Sequence, residues 1–177
     1  MMNLYTLPTL AVIDGKEYAI RWEFRQVLAV LAILDGPGPE WLRWFRAVDA
    51  FYAERVPDNL MPAAAAYLAD FLTAGQPGRP GPKLFDWHHD ANAIISDVNR
   101  VAGFEVRRES IHWWTFLAWF RAIGEGQLSA LVTVRSKLLK GQKLSDWEQS
   151  FYRENRDRVR LPQPADPEKE RLEKLLK

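Results

Sequence analysis

The spacing of apolar residues changes once, near residue 20. Before it, Leu10-Ala11-Val12-Ile13 and Tyr18-Ala19-Ile20 flank Asp14-Gly15. Asp-Gly supplies the positive φ pair of a tight hairpin turn, so residues 9–20 read as a β-hairpin. After it the period is helical. Phe24 to Leu34 is apolar on nearly every side, which predicts a central helix. Gly36-Pro37-Gly38-Pro39 stops that helix, and Pro39 is suited to start the next. Trp41, Trp44, Phe45, Val48, Phe51 and Tyr52 then recur at helical spacing as far as Pro57-Asp58-Asn59. Asp58 or Asn59 is placed to cap a third helix carrying Leu60, Ala64, Tyr67, Leu68 and Phe71.

Residues 75–83 are rich in Gly and Pro and belong to neither a helix nor a central strand. They read as a surface loop, with a hinge between two helical subdomains as the sharper alternative. Asp86 is expected to cap a helix with Trp87, Ala91, Ile94, Ile95, Val98 and Val101 on one stripe, closed by Gly103. A further stripe runs through Leu128, Leu131, Val132, Leu138 and Leu139 to Gly141. Ser145 and Glu148 form a capping-box pattern ahead of Trp147, Phe151 and Tyr152. The whole predicts a mainly α fold: one domain over 1–161, six to seven helices in a bundle, and a short N-terminal β-hairpin. Residues 162–177 read as a Pro-rich linker and a short amphipathic C-terminal helix, dispensable for folding.

The densest aromatic segment is His112-Trp113-Trp114-Thr115-Phe116-Leu117-Ala118-Trp119-Phe120. Such rings form either the centre of a core or the centre of a docking surface. At 100° per residue, Trp113, Phe116, Leu117, Phe120 and Ile123 share a stripe about 120° wide. Trp114 and Trp119 fall on its two flanks. A helix central to a bundle buries both; otherwise at least one belongs to a partner surface. Trp114, Trp119, Trp41 and Trp44 are therefore the candidate partner-binding residues.

Composition narrows the chemistry. Of 177 residues, 47% are hydrophobic, which is a folding composition. Net charge is +1, against strong non-specific binding to nucleic acid. There is no cysteine, so disulfides and thiolate metal sites are excluded. The longest apolar run, Val27 to Leu34, is too short to span a bilayer, and no secretory signal is visible. A soluble intracellular protein is expected.

Candidate chemistry is sparse. His88, His89, Asp90 and His112 lack the spacing of a metal site, since the i+4 partners of the histidine pair are Asn92 and Ala93. No metal is expected; His88 should edge the core and His89 face water. No phosphate loop, nucleophile elbow or paired-histidine helix occurs, so neither a catalytic residue nor a cofactor is assigned. Arg153, Arg156, Arg158 and Arg160 are interrupted by Glu154 and Asp157 and read as a solvated helix face, not a nucleic-acid site. Arg135 stands out, because it projects from an apolar stripe. A buried guanidinium needs a partner, and Asp86 or Asp90 is expected to supply it. These three are candidate structural residues.

Several motifs recur in an order that resembles the bacteriophage gene-product-fifteen family. They are Asp14-Gly15-Lys16-Glu17-Tyr18 followed by Phe24-Arg25, then Phe85-Asp86 with Asp90 and Ile94, then His112-Trp113-Trp114 with Phe116, and Arg135. They span residues 10 to 140. Trp22-Glu23 stands where the family usually has an acidic or Thr-Asp approach to its Phe-Arg. In siphophages of Gram-positive hosts the family is encoded between the major tail protein and the tape-measure protein. The resemblance implies a tail assembly chaperone, not an enzyme. It would bind the tape-measure protein in the host cytoplasm, with self-association as a further option, and be absent from the mature virion. A structural virion protein of the tail or head–tail junction is the alternative.

Overall fold

A computed structural model describes residues 5–76, 78 and 81–162. Strands β1 (Leu10–Ile13) and β2 (Lys16–Ala19) pair antiparallel, with Ala11 opposite Tyr18. Asp14 and Gly15 make the turn at φ 51° and 76°, the conformation that an Asp-Gly pair accommodates. Alternation sends Ala11, Ile13 and Tyr18 inward and leaves Leu10 and Val12 exposed.

The described residues then form eight α-helices: α1 (Phe24–Asp35), α2 (Glu40–Phe51), α3 (Met61–Thr73), α4 (Ala91–Ala102), α5 (Trp113–Arg121), α6 (Gln127–Leu139), α7 (Asp146–Glu154) and the single turn α8 (Arg156–Val159). This is the mainly helical fold with an N-terminal hairpin that the pattern predicts. Helix α1 packs along α2, and α2 along α3. Helix α4 packs on both α5 and α6, α5 also meets α1, and α8 lies on α6. One apolar cluster runs from Ala11 and Tyr18 through Phe24, Phe51, Phe71 and Trp113 to Leu131 and Val159.

Several local expectations need correction. Helix α1 is not sealed on every side: Phe24, Val27 and Val30 are buried, while Leu28, Leu31 and Leu34 are only half-covered. Asp58 and Asn59 do not cap α3. They lie in a 3-10 turn, Asp58–Leu60, and α3 starts with Pro62 in its first turn. Asp86 does not cap α4 directly. Its Oδ1 accepts from the backbone N–H groups of His88 (2.9 Å) and His89 (2.8 Å), closing a turn at residues 87–90 that leads into α4. His88 is exposed and does not edge the core. Leu138 and Leu139 share the apolar side of α6 but are exposed, because the helix outruns the core; Val134 is buried instead. Beyond Pro162, the expected C-terminal helix lies outside the described residues.

Other sequence signals hold. Gly103 ends α4 in the left-handed region, at φ 81°. Ser145 and Glu148 form the capping box of α7, with Ser145 N donating to Glu148 Oε2 at 2.7 Å and Glu148 N to Ser145 Oγ at 3.4 Å.

Candidate functional site

Of the quoted motif residues, Phe24, Arg25, His112, Trp113 and Phe116 meet at one architectural junction, and Asp90 and Arg135 at a second. At the first, the chain entering α1 lies against the chain entering α5. Phe24 N donates to Ile111 O (3.0 Å) and Trp113 N to Trp22 O (2.8 Å). Phe24 stacks on Phe116 with centroids 4.5 Å apart, and Arg25 Nη1 donates to Arg107 O at 3.0 Å. His112 caps α5. Its Nδ1 accepts from Trp114 N at 3.1 Å, so the ring proton sits on Nε2, which faces Pro8 O at 3.0 Å. The imidazole lies nearly parallel to Trp22. Burial lowers the His112 pKa, and the hydrogen bond to Pro8 opposes it only in part, which favours the neutral ring.

At the second junction Arg135, 4% exposed, meets Asp90, 3% exposed. Two parallel bonds join them: Nη1 to Asp90 Oδ2 at 2.7 Å and Nη2 to Asp90 Oδ1 at 2.8 Å. The remaining donors go to backbone carbonyls of Val159 (2.8 Å), Leu84 (2.9 Å) and Arg158. A rigid guanidinium fork thus ties α4, α6, α8 and the Leu84 segment together. Asp86 is not the partner. It binds Lys83 Nζ at 2.8 Å, and Lys83 also reaches Asp35 at 2.9 Å. Burial works against the Asp86 charge, but the N–H groups of His89 and His88 and the Lys83 ammonium outweigh it, holding its pKa at about 2.

The four tryptophans proposed as contacts separate. Trp114 is corrected: it is 7% exposed, and its indole N–H donates to Phe71 O at 2.9 Å. An indole committed to a buried carbonyl is not offered to a partner. Trp119 is half-buried and meets Phe104 edge-on at 5.7 Å. Trp44 is half-buried. Trp41 is 70% exposed, and Phe45 beside it is 43% exposed. Trp41, Trp44 and Phe45 of α2 and Met61, Pro62 and Ala65 of α3 line an apolar depression of about 230 Å³.

Two features had little signal in the pattern. Asp97, buried in α4, accepts from Leu128 N (2.8 Å) and Gln127 N (3.3 Å), capping α6 from another helix. A carboxylate beside an apolar stripe was its only mark. Trp147 is 60% exposed and stacks on Phe151; its exposed polar neighbours Asp146 and Gln149 are the sign that its side of α7 faces water, while Glu148 between them is buried.

Among the described residues, no group of three or more His, Asp or Glu side chains is placed to hold a metal ion. The half-buried phenol of Tyr67 and the buried one of Tyr52 donate to Leu10 O (3.0 Å) and Ala64 O (3.1 Å), and burial raises both pKa values. They act here as structural donors. Arg153, Arg156, Arg158 and Arg160 are all exposed. No described helix is long and apolar enough to cross a membrane. The chain matches no family model, no curated protein and no solved structure.

Proposed function

We propose that this chain is a binding protein without catalytic chemistry, a phage tail assembly chaperone whose client is the tape-measure protein. The observation that carries the binding reading is the Trp41 face. A tryptophan and a phenylalanine stand exposed beside a half-buried tryptophan, over an apolar depression between two helices. Burying such rings from water favours association, and Trp is strongly represented among residues that dominate binding energy. A groove between two helices suits the apolar face of a third, and a tape-measure protein is a long helical client.

The choice of client rests on the motif resemblance, which runs through Phe24-Arg25, Phe85-Asp86, His112-Trp113-Trp114 and Arg135. Of these, Phe24-Arg25, His112-Trp113 and Arg135 build the two junctions described above, and Asp86 closes the turn that leads into α4. They define the scaffold, and the contact surface is the part of α2 that projects from it.

Co-expression with the neighbouring tape-measure protein tests the reading. The expected outcome is that the tape-measure protein stays soluble and co-purifies, and that Trp41→Ala with Phe45→Ala abolishes this without changing the melting transition. A tape-measure protein that precipitates equally with and without this chain overturns the client. Stoichiometric recovery of the chain in purified virions overturns the chaperone and favours a structural tail protein.

A further inference from the structure

A second apolar surface lies on the far side of the Arg135 junction. The end of α6 and the segment from Tyr152 to Pro162 enclose an open trough of about 560 Å³. Its apolar walls are Leu138, Leu139, Tyr152, Val159, Leu161 and Pro162. Leu138 is 41% and Leu139 61% exposed.

The charged residues on these walls are Lys83, Arg135 and Arg160, with no carboxylate among them. Arg135 is committed to Asp90, and Lys83 to Asp35 and Asp86. Arg160 makes no ion pair among the described residues. The chain leaving α6 adds Lys140 and Lys143, both exposed and likewise without an ion pair there. Residues 135–143 carry Arg135, Lys137, Lys140 and Lys143 and no acid; Lys137 is held by Glu148 at 2.6 Å, which leaves Lys140 and Lys143 as the cations of this stretch unpaired among the described residues. The trough is therefore apolar along its walls, and the unpaired cations at it or next to it in the chain are Arg160, Lys140 and Lys143.

That combination selects its occupant. A small ligand would be left largely wet in an open trough, since ligand sites cover most of their ligand. A nucleic acid would bring phosphates to the rim but nothing to cover the leucines. An amphipathic helix satisfies both, setting an aliphatic stripe against Leu138 and Leu139 and carboxylates against Arg160 and Lys140. We propose that this trough is a docking groove for an acidic amphipathic α-helix of another protein. It is separate from the Trp41 face, and its failure leaves the reading above standing.

The test uses the full chain and three labelled synthetic helical peptides, followed by fluorescence anisotropy. The first carries Leu at i, i+3, i+4 and i+7 with Glu on both flanks. The second has Lys for every Glu, and the third has Ser for every Leu. The acidic leucine peptide is expected to bind at least about tenfold more tightly than either other peptide, and more weakly as salt rises. Leu139→Glu and Arg160→Glu should each weaken it about tenfold or more, while Trp41→Ala leaves it unchanged. Both altered positions are exposed, and an unchanged melting transition confirms each fold; Leu138→Ser replaces Leu139→Glu if that variant melts early. The proposal is overturned by equal binding of the three peptides, by no binding, or by binding indifferent to Leu139→Glu. It is also overturned by binding that appears only after residues 163–177 are removed, by a dimer that Leu139→Glu disperses, or by duplex DNA retention that needs Arg160 but not Leu139. These three outcomes assign the trough to the chain's own C-terminal residues, to a second copy or to nucleic acid.

Discussion

The indole N–H of Trp114 donates to the backbone carbonyl of Phe71 at 2.9 Å, and the two rings lie 5.8 Å apart. Next to it, Trp113 Nε1 donates to Leu72 O at 3.0 Å, and Arg121 Nη2 to Thr73 O at 2.8 Å. Helix α5 thus satisfies the last carbonyls of α3, groups that a helix leaves without internal partners. The aromatic segment is a core element that also acts as a cap.

Trp114→Ala is therefore expected to cost about 3–5 kcal/mol, the range for a large buried aromatic. Trp41→Ala should stay within about 0.5 kcal/mol of the parent, as for exposed side chains without structural partners. Urea unfolding of the two variants checks both values. Equal losses would contradict the division between core and surface.

Asp90→Ala leaves the Arg135 guanidinium buried without its carboxylate. Removing one partner of a buried pair costs about 3–5 kcal/mol. Adding Arg135→Met should return part of the loss, because the stranded charge is gone. A double variant less stable than Asp90→Ala would show that the carbonyl contacts to Leu84, Arg158 and Val159 matter more than the ion pair.

His112 makes stability depend on pH in a defined direction. Its folded pKa lies below its ordinary value, because burial disfavours the charged ring. Such a group contributes fully above the unfolded pKa, about 6.5, and the contribution is lost as pH falls through the folded value. Protonation also removes the Nδ1 acceptor that holds Trp114 N. Thermal melts should fall progressively below about pH 6.5. His112→Asn, which keeps a capping acceptor, should flatten that part of the profile. Asp86 adds a second, more acidic window. Its pKa is lowered from 3.8 to about 2, so its contribution disappears between those values.

Gly126→Ala should destabilise the protein even though the backbone there is extended. A Cβ at this position would lie 2.6 Å from Asp97 Cγ, displacing the carboxylate that caps α6. Overpacking of this kind costs about 1–3 kcal/mol. Amide exchange at Gln127 and Leu128 should accelerate in the variant. Unchanged exchange would mean that Asp97 is not the cap.

Local physics made much of this protein legible in its sequence. The Asp-Gly turn, the glycine closing α4, the Ser145–Glu148 box and the helical periods all act over a few residues, so their signals lie within a few residues. Arg135 was legible for a related reason: a guanidinium on an apolar face demands a carboxylate somewhere. Which one depended on the packing of α4 against α6, which sets Asp90 and not Asp86 across from it. The same holds for the rings. Periodicity put Trp114 and Trp119 on opposite flanks of one helix but carried no information about what lay beside each. The C-terminus of α3 seals Trp114, Phe104 packs edge-on against the half-buried Trp119, and Trp41, Leu138 and Leu139 stay exposed among the described residues. Burial is a property of the neighbours a side chain finds, and those neighbours come from distant parts of the chain. Pattern alone therefore determined the elements and their apolar faces, and only the tertiary structure decided which of those faces remain open to a partner.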